Sequence, residues 1–114
     1  MTDVAFLACE YTQVDTVAPE DTDVTGVTVR PLWVGPQGAV AQVVEIRPGA
    51  NLGQDQAAHD TWMFVLEGTL HDGLCDHPTG SWLWCPAGAR RVWRSGTEDT
   101  CRVLHIRPES VNNA

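Results

Sequence analysis

From residue 26 onward, apolar and polar positions alternate in short runs broken by turn residues, a pattern that predicts an all-β domain. The runs are VTVRPLW (27–33), AVAQVVEI (39–46), TWMFVLEG (61–68), SWLWC (81–85), RRVWR (90–94) and CRVLHI (101–106). Between them stand GPQG, RPGAN, HDG, HPTG, PAGA and SGTED, each holding Gly, Pro or Asx residues of the kind that tight turns require. No segment carries a helical apolar repeat long enough to compete with the strands. Many short strands joined by tight turns imply a sandwich or a small barrel. Only the N-terminus is ambiguous, where DVAFLACEY suits an edge strand or a helical turn. Residues 1–25 are therefore expected to form an arm and its connecting loop, residues 26–108 the β domain, and residues 109–114 a tail.

Period-two alternation also sorts side chains by face. Trp62, Phe64 and Leu66 share one face of their strand, and three large apolar groups should not be left in water. The arm, a second sheet or a partner subunit must cover them, and a homodimer is expected. Trp82 and Trp84 share one face and Leu83 and Cys85 the other; the sequence leaves open which pair points inward. His105 lies on the face of Cys101 and Val103.

Composition narrows the function classes. A chain of 114 residues, 43% hydrophobic and 19% charged, has the size and make-up of one globular domain. All seven basic residues are Arg, so Schiff-base chemistry through a lysine of this chain is excluded. A net charge of −8 argues against nucleic-acid binding, which rests on neutralising phosphates. RRVWR does not reverse this, because on a strand Arg90 and Arg94 point away from Arg91. No apolar run is long enough for a membrane span, and MTDVAFLACE lacks the basic start and apolar centre of a signal peptide. A cytoplasmic protein is expected. Its four cysteines, Cys9, Cys75, Cys85 and Cys101, are then free thiols. Cys75 and His77 in LCDHP lie on one face of an extended segment, as half a metal site or as part of a solvated hairpin loop.

Two glycine-framed stretches carry a specific resemblance. GANLGQDQAAHDTWMFVLEG places Gly49 and Gly68, and GSWLWCPAGARRVWRS places Gly80, Pro86 and Gly88. Their spacing resembles the two motifs of the cupin superfamily, G-x5-H-x-H-x3-E-x6-G and G-x5-P-x-G-x2-H-x3-N, with no insertion or deletion. The texture is most similar to small cupins related to the sensor domain of zinc-dependent anti-sigma factors, and to dioxygenases that cleave diketones and hydroxyacetophenones. The resemblance covers residues 26–108 and implies a cupin-type antiparallel β-barrel, or jelly roll, with an N-terminal arm.

The family's metal ligands, three His and one Glu, are all replaced. Asp55, Ala57, Thr61 and Arg91 stand in their places. Ala offers no lone pair, a Thr hydroxyl is a weak ligand, and a guanidinium is a permanent cation that repels a metal. No metal and no other cofactor is expected. A rebuilt site of Asp55, His59 and His105, as in a metal-dependent dioxygenase, is the remote alternative.

If position 55 faces inward as in the family, the interior also holds Ala57, Thr61, Met63, Val65, Arg91, Trp93 and Ser95. Asp55 and Arg91 are then expected to face each other across the former metal site, since a lone buried charge needs a partner. Two readings stay open. Either the pair is a salt bridge that plugs the barrel, or Arg91 holds a carboxylate, phenolate or enolate while Asp55 or His59 moves a proton. Thr61, Met63, Trp93, Ser95 and His105 would line the substrate. The expected function is metal-independent binding and transformation of a small anionic or aromatic molecule, of the isomerase, cyclase, epimerase or lyase type. The alternative is a non-catalytic ligand-binding or sensory module.

Overall fold

The structure, a computed structural model, describes residues 11–56, 59–96 and 98–108. Ala57, most of the apolar stretch of the expected arm, and the expected C-terminal tail lie outside these. Every predicted strand is present. They are β2 (Val27–Val34), β3 (Val40–Ile46), β5 (Thr61–Glu67), β8 (Trp82–Cys85), β9 (Arg90–Ser95) and β10 (Cys101–Arg107). Four further strands were not predicted: β1 (Glu20–Asp21), β4 (Asn51–Gln56), β6 (Thr69–His71) and β7 (Asp76–Pro78). Helix among the described residues is limited to single 3-10 turns at Val14–Thr16 and Pro36–Gly38, and none is long and apolar enough to cross a membrane.

The expected barrel takes the form of two antiparallel sheets packed face to face, in jelly-roll fashion. One is ordered β1-β2-β3-β10-β5-β8 and the other β4-β9-β6-β7. Val27, Ile46, Met63, Val65, Cys101 and Val103 of the first sheet pack with Leu70 and Trp93 of the second. Side chains such as Val65, fully buried, each stabilise the fold by about 1.5–3 kcal/mol relative to exposure. Pro31 sits in β2 beyond the short pairing with β1 and beside a register shift against β3, where its missing N–H leaves no ladder bond unmade.

Register settles the open question in β8. Leu83 pairs with Met63 and Cys85 with Thr61, so the Leu83–Cys85 face turns inward. The register is fixed by the turn before β8, where Gly80 N–H donates to Val65 O and Val65 N–H to Ser81 O, at 2.8 and 2.9 Å. Trp82 and Trp84 face outward beside Phe64 and Trp62 and remain 57% and 58% exposed. Elsewhere the outer face of the large sheet is held by charge. Arg30 Nε contacts Glu45 at 2.8 Å and its Nη1 donates to Val17 O at 2.7 Å. Arg102 meets the other Glu45 oxygen at 3.1 Å, as a charge contact without hydrogen-bond alignment, and reaches Asp15 at 3.4 Å. Glu45 thus couples two strands to the segment preceding β1.

Candidate functional site

The two sheets leave a cavity of about 470 Å³ between their inner faces. Its open end can be read along β10. The inner-face column runs Cys101, Val103, His105, Arg107, fully buried at the first two and half-buried at the last two. Gln42 is the register partner of His105 on β3, and Met63 its partner on β5. The floor is therefore apolar, built from Val27, Ile46, Leu70, Val103 and Trp93, while Gln42, His59, Thr61, Arg91, His105 and Arg107 line the rim. An apolar pocket with a few convergent polar groups is the usual make-up of a small-molecule site.

His59 reaches this wall just ahead of β5. The neighbouring Asp60 carboxylate accepts the Ala87 N–H at 2.8 Å, tying the start of β5 to the turn between β8 and β9. Of the residues expected in the site, His59, Thr61, Met63, Arg91, Trp93 and His105 line the cavity. Ser95 does not. It points inward at the closed end, is 1% exposed, and its single hydroxyl proton is shared between the carbonyls of Arg47, the nearer, and Gly96. Asp55 is the register partner of Arg91 on the paired strand β4. The two are thus neighbours within one sheet, instead of confronting each other from opposite walls. The Asp55 side chain lies outside the described structure.

The carboxylate beside Arg91 is Asp72, which the sequence reading passed over as a turn residue. Asp72 is 8% exposed. Its Oδ1 accepts the N–H groups of Leu74 and Cys75 at 2.8 and 2.7 Å. Its Oδ2 accepts from His77 Nε2 at 2.8 Å and lies 3.9 Å from Arg91 Nε. Burial alone would push this carboxyl up. The His77 hydrogen bond, the Cys75 and Leu74 amides and the His77 charge outweigh it and hold the group at about 2. Arg91 is further oriented by donation from Nη1 to Arg90 O at 2.8 Å. A second imidazole–carboxylate contact, His71 to Asp76, lies in the same hairpin.

Arg107 and Gln42 were also missed. Gln42 was legible as the polar member of the Gln42, Val44, Ile46 face of AVAQVVEI. Arg107 continues the face of His105 by one more step, past the predicted end of the strand.

Thr61 and Arg91 are poor ligands for a divalent metal, a weak hydroxyl donor and a permanent cation. Among the described residues no three His, Cys, Asp or Glu side chains group together as ligands, and a guanidinium and a hydroxyl occupy two of the former ligand positions on the cavity wall. Cys101 is fully buried, and burial and the Glu67 charge push its thiol up to about 11. Cys75 and Cys101 are free thiols.

Comparison with known proteins agrees with this architecture. The chain superposes on the polyketide cyclase RemF from Streptomyces resistomycificus with a TM-score of 0.80 at 21% identity, covering 90% of this chain and 81% of that one. A putative dioxygenase from Nostoc punctiforme gives 0.79 at 22% identity, over 90% of this chain and 39% of that one. Rhodobacter sphaeroides SigE in complex with the anti-sigma ChrR gives 0.71 at 18% identity, over 83% of this chain and half of the matched one. No curated protein sequence matches. The sequence profile described as the ChrR Cupin-like domain matches residues 8–109. With nearly the whole chain covered and the jelly roll in place, this protein belongs to the ChrR cupin-like family.

Proposed function

We propose that the chain binds a small organic anion with an apolar or aromatic body and transforms it by metal-independent acid/base chemistry, of the isomerase, cyclase, epimerase or lyase type. The observation that carries this is the convergence of Arg91, His59, His105 and Thr61 on the rim of an apolar-floored cavity. Arg91, with its planar, permanently charged fork, holds the carboxylate, phenolate or enolate. His59 or Asp55 moves the proton as general acid or base. Thr61, Met63, Trp93 and His105 position the ligand. The cyclase reading has a counterpart in RemF, named a polyketide cyclase on a similar fold. The anti-sigma complex supports a second reading, in which this chain is a non-catalytic ligand-binding or sensory module.

Calorimetric titration with benzoate is the direct test. The protein should bind it, and Arg91→Gln should weaken binding by tenfold or more, about 1.4 kcal/mol for the loss of a charged hydrogen-bond partner. Equal affinity in the variant would remove Arg91 from the site. Stoichiometric zinc, iron or manganese in the purified protein would overturn the metal-free reading.

The proposal includes a cytoplasmic homodimer. Trp82 and Trp84 are exposed on β8, which pairs only with β5 at the edge of the large sheet. A second copy laid against this face would cover them. Light scattering should give the dimer mass at micromolar concentration, and Trp84→Glu should shift it to monomer. A wild-type monomer at that concentration would contradict it.

A further inference from the structure

The geometry points to a second anion-holding group, Arg107, and hence to a ligand with two oxyanions on one edge of an aromatic ring. This inference rests on the reading that the cavity binds an anion at Arg91, and adds the ligand's second charge.

The charge distribution comes first. The chain has 15 acidic residues against seven basic ones, so a wall drawn at random would be acidic. The described lining residues instead include two arginines, Arg91 and Arg107, and two histidines, His59 and His105. In a protein whose overall field repels anions, a local concentration of donors and cations is a recognition feature.

The placement of the two arginines gives the spacing. Arg91 belongs to β9 in the small sheet and Arg107 to β10 in the large one. Both line the rim, above the apolar floor. Facing sheets lie about 10 Å apart, so the guanidinium groups approach a ligand from opposite walls. Each is held by its own scaffold. Arg91 is oriented by Asp72 and Arg90 O, while Arg107 Nε donates to Gly38 O at 2.9 Å in the β2–β3 turn. That bond uses one of five guanidinium N–H donors and fixes the plane. The Nη groups remain as a fork for a carboxylate, phenolate or enolate. Gln42, within 3.3 Å of His105, stands on the same side and supplies a neutral amide next to this second position.

A ligand that satisfies both arginines carries its oxyanions on one edge and its apolar body on the other. The body then enters the floor toward Trp93 and Val103. A monoanion engages only one wall. A ligand with charges at opposite ends would drive one of them into the apolar floor, at the cost of burying it unpaired.

Benzoate and isophthalate share one ring and differ by a second carboxylate on the same edge, so they serve as probes in calorimetric titrations of the full chain. Isophthalate should bind the wild type at least tenfold tighter than benzoate. Arg107→Gln should erase that preference, whereas Arg91→Gln should weaken binding of both probes. Arg107→Lys, which keeps the charge but loses the fork, should retain part of the preference. It also covers the case in which the glutamine variant misfolds, as its circular dichroism would reveal. Equal binding of the two probes by the wild type, or a preference that survives Arg107→Gln, would overturn the second group and leave the Arg91 site standing. Failure of the wild type to bind either probe at millimolar concentration would overturn both readings.

Discussion

Replacing Asp72 with alanine should destabilise the fold by about 3–5 kcal/mol, the usual cost of removing one partner from a buried charged network. Four groups converge on this carboxylate: the amides of Leu74 and Cys75, His77 Nε2 and the Arg91 guanidinium. Alanine leaves the two amides and the cation without their acceptor in a nearly closed setting. Asparagine is milder. Its oxygen can still accept both amides, but its amide nitrogen meets the donors of His77 and Arg91, so a loss of about 1–3 kcal/mol is expected. Urea unfolding curves measure both. The titration of Asp72 adds an independent signature. Its folded value of about 2 lies below the ordinary 3.8, so the unfolded chain binds the proton more readily. The corresponding stabilisation, about 2 kcal/mol, is present in full above pH about 4 and is lost as pH falls toward 2. In Asp72→Asn this part of the stability–pH curve should flatten. Curves for wild type and variant that stay parallel below pH about 4 would assign the acid sensitivity to other carboxylates.

Asp72 also shows where sequence reading stops. In HDG it has the signature of a turn residue, and it is one, since its Oδ1 accepts two amides of the β6–β7 turn. Nothing in the local pattern shows that its other oxygen meets a cation from β9, a strand some twenty residues away. The three-residue strands β6 and β7 were invisible for the same reason: they are too short to display alternation. β4 was missed because NLGQDQ offers a single large apolar residue, Leu52, and pairs only with β9 at the edge of its sheet. The six longer runs were legible because Val, Trp, Leu and Ile recur at alternate positions, and that period survives any tertiary detail.

Within the site, one anchored position propagates along a strand. Once position 61 is inward, so are 63 and 65, and once 91 is inward, so are 93 and 95; burial follows that sequence. Alternation gives direction and not depth. Ser95 is inward but at the closed end, where inward means core, so its hydroxyl meets backbone carbonyls. Arg107 is inward at the open end, where the same face becomes the rim. The difference between a core serine and a rim arginine is set by the tilt and length of the strands, which emerge only when the two sheets are assembled.

The motif glycines make the opposite prediction from the motif ligands, and Gly68→Ala should be the more damaging of two chemically identical changes. Gly49 and Gly68 both have positive φ, +76° and +74°, so a side chain at either costs about 1–2 kcal/mol in backbone strain. At Gly49 a methyl group would meet nothing within 4 Å. At Gly68 it would lie 2.5 Å from the Thr100 carbonyl oxygen and 3.1 Å from Cys101 Cα. Both are backbone atoms at the start of β10, the central strand that supplies His105 and Arg107 to the cavity. They cannot rotate aside, so the chain must shift where it passes from β5 in one sheet to β6 in the other. A loss of about 3–5 kcal/mol is expected for Gly68→Ala, against about 1 for Gly49→Ala, both read from urea unfolding. Equal losses would mean that the sign of φ sets the cost and that the approach to Thr100 relaxes freely. The expected inequality has a consequence for the family pattern. Gly68 is required by how two strands cross, whatever the cavity holds. The glycine spacing of the motif can therefore persist through any change in the residues that line the cavity.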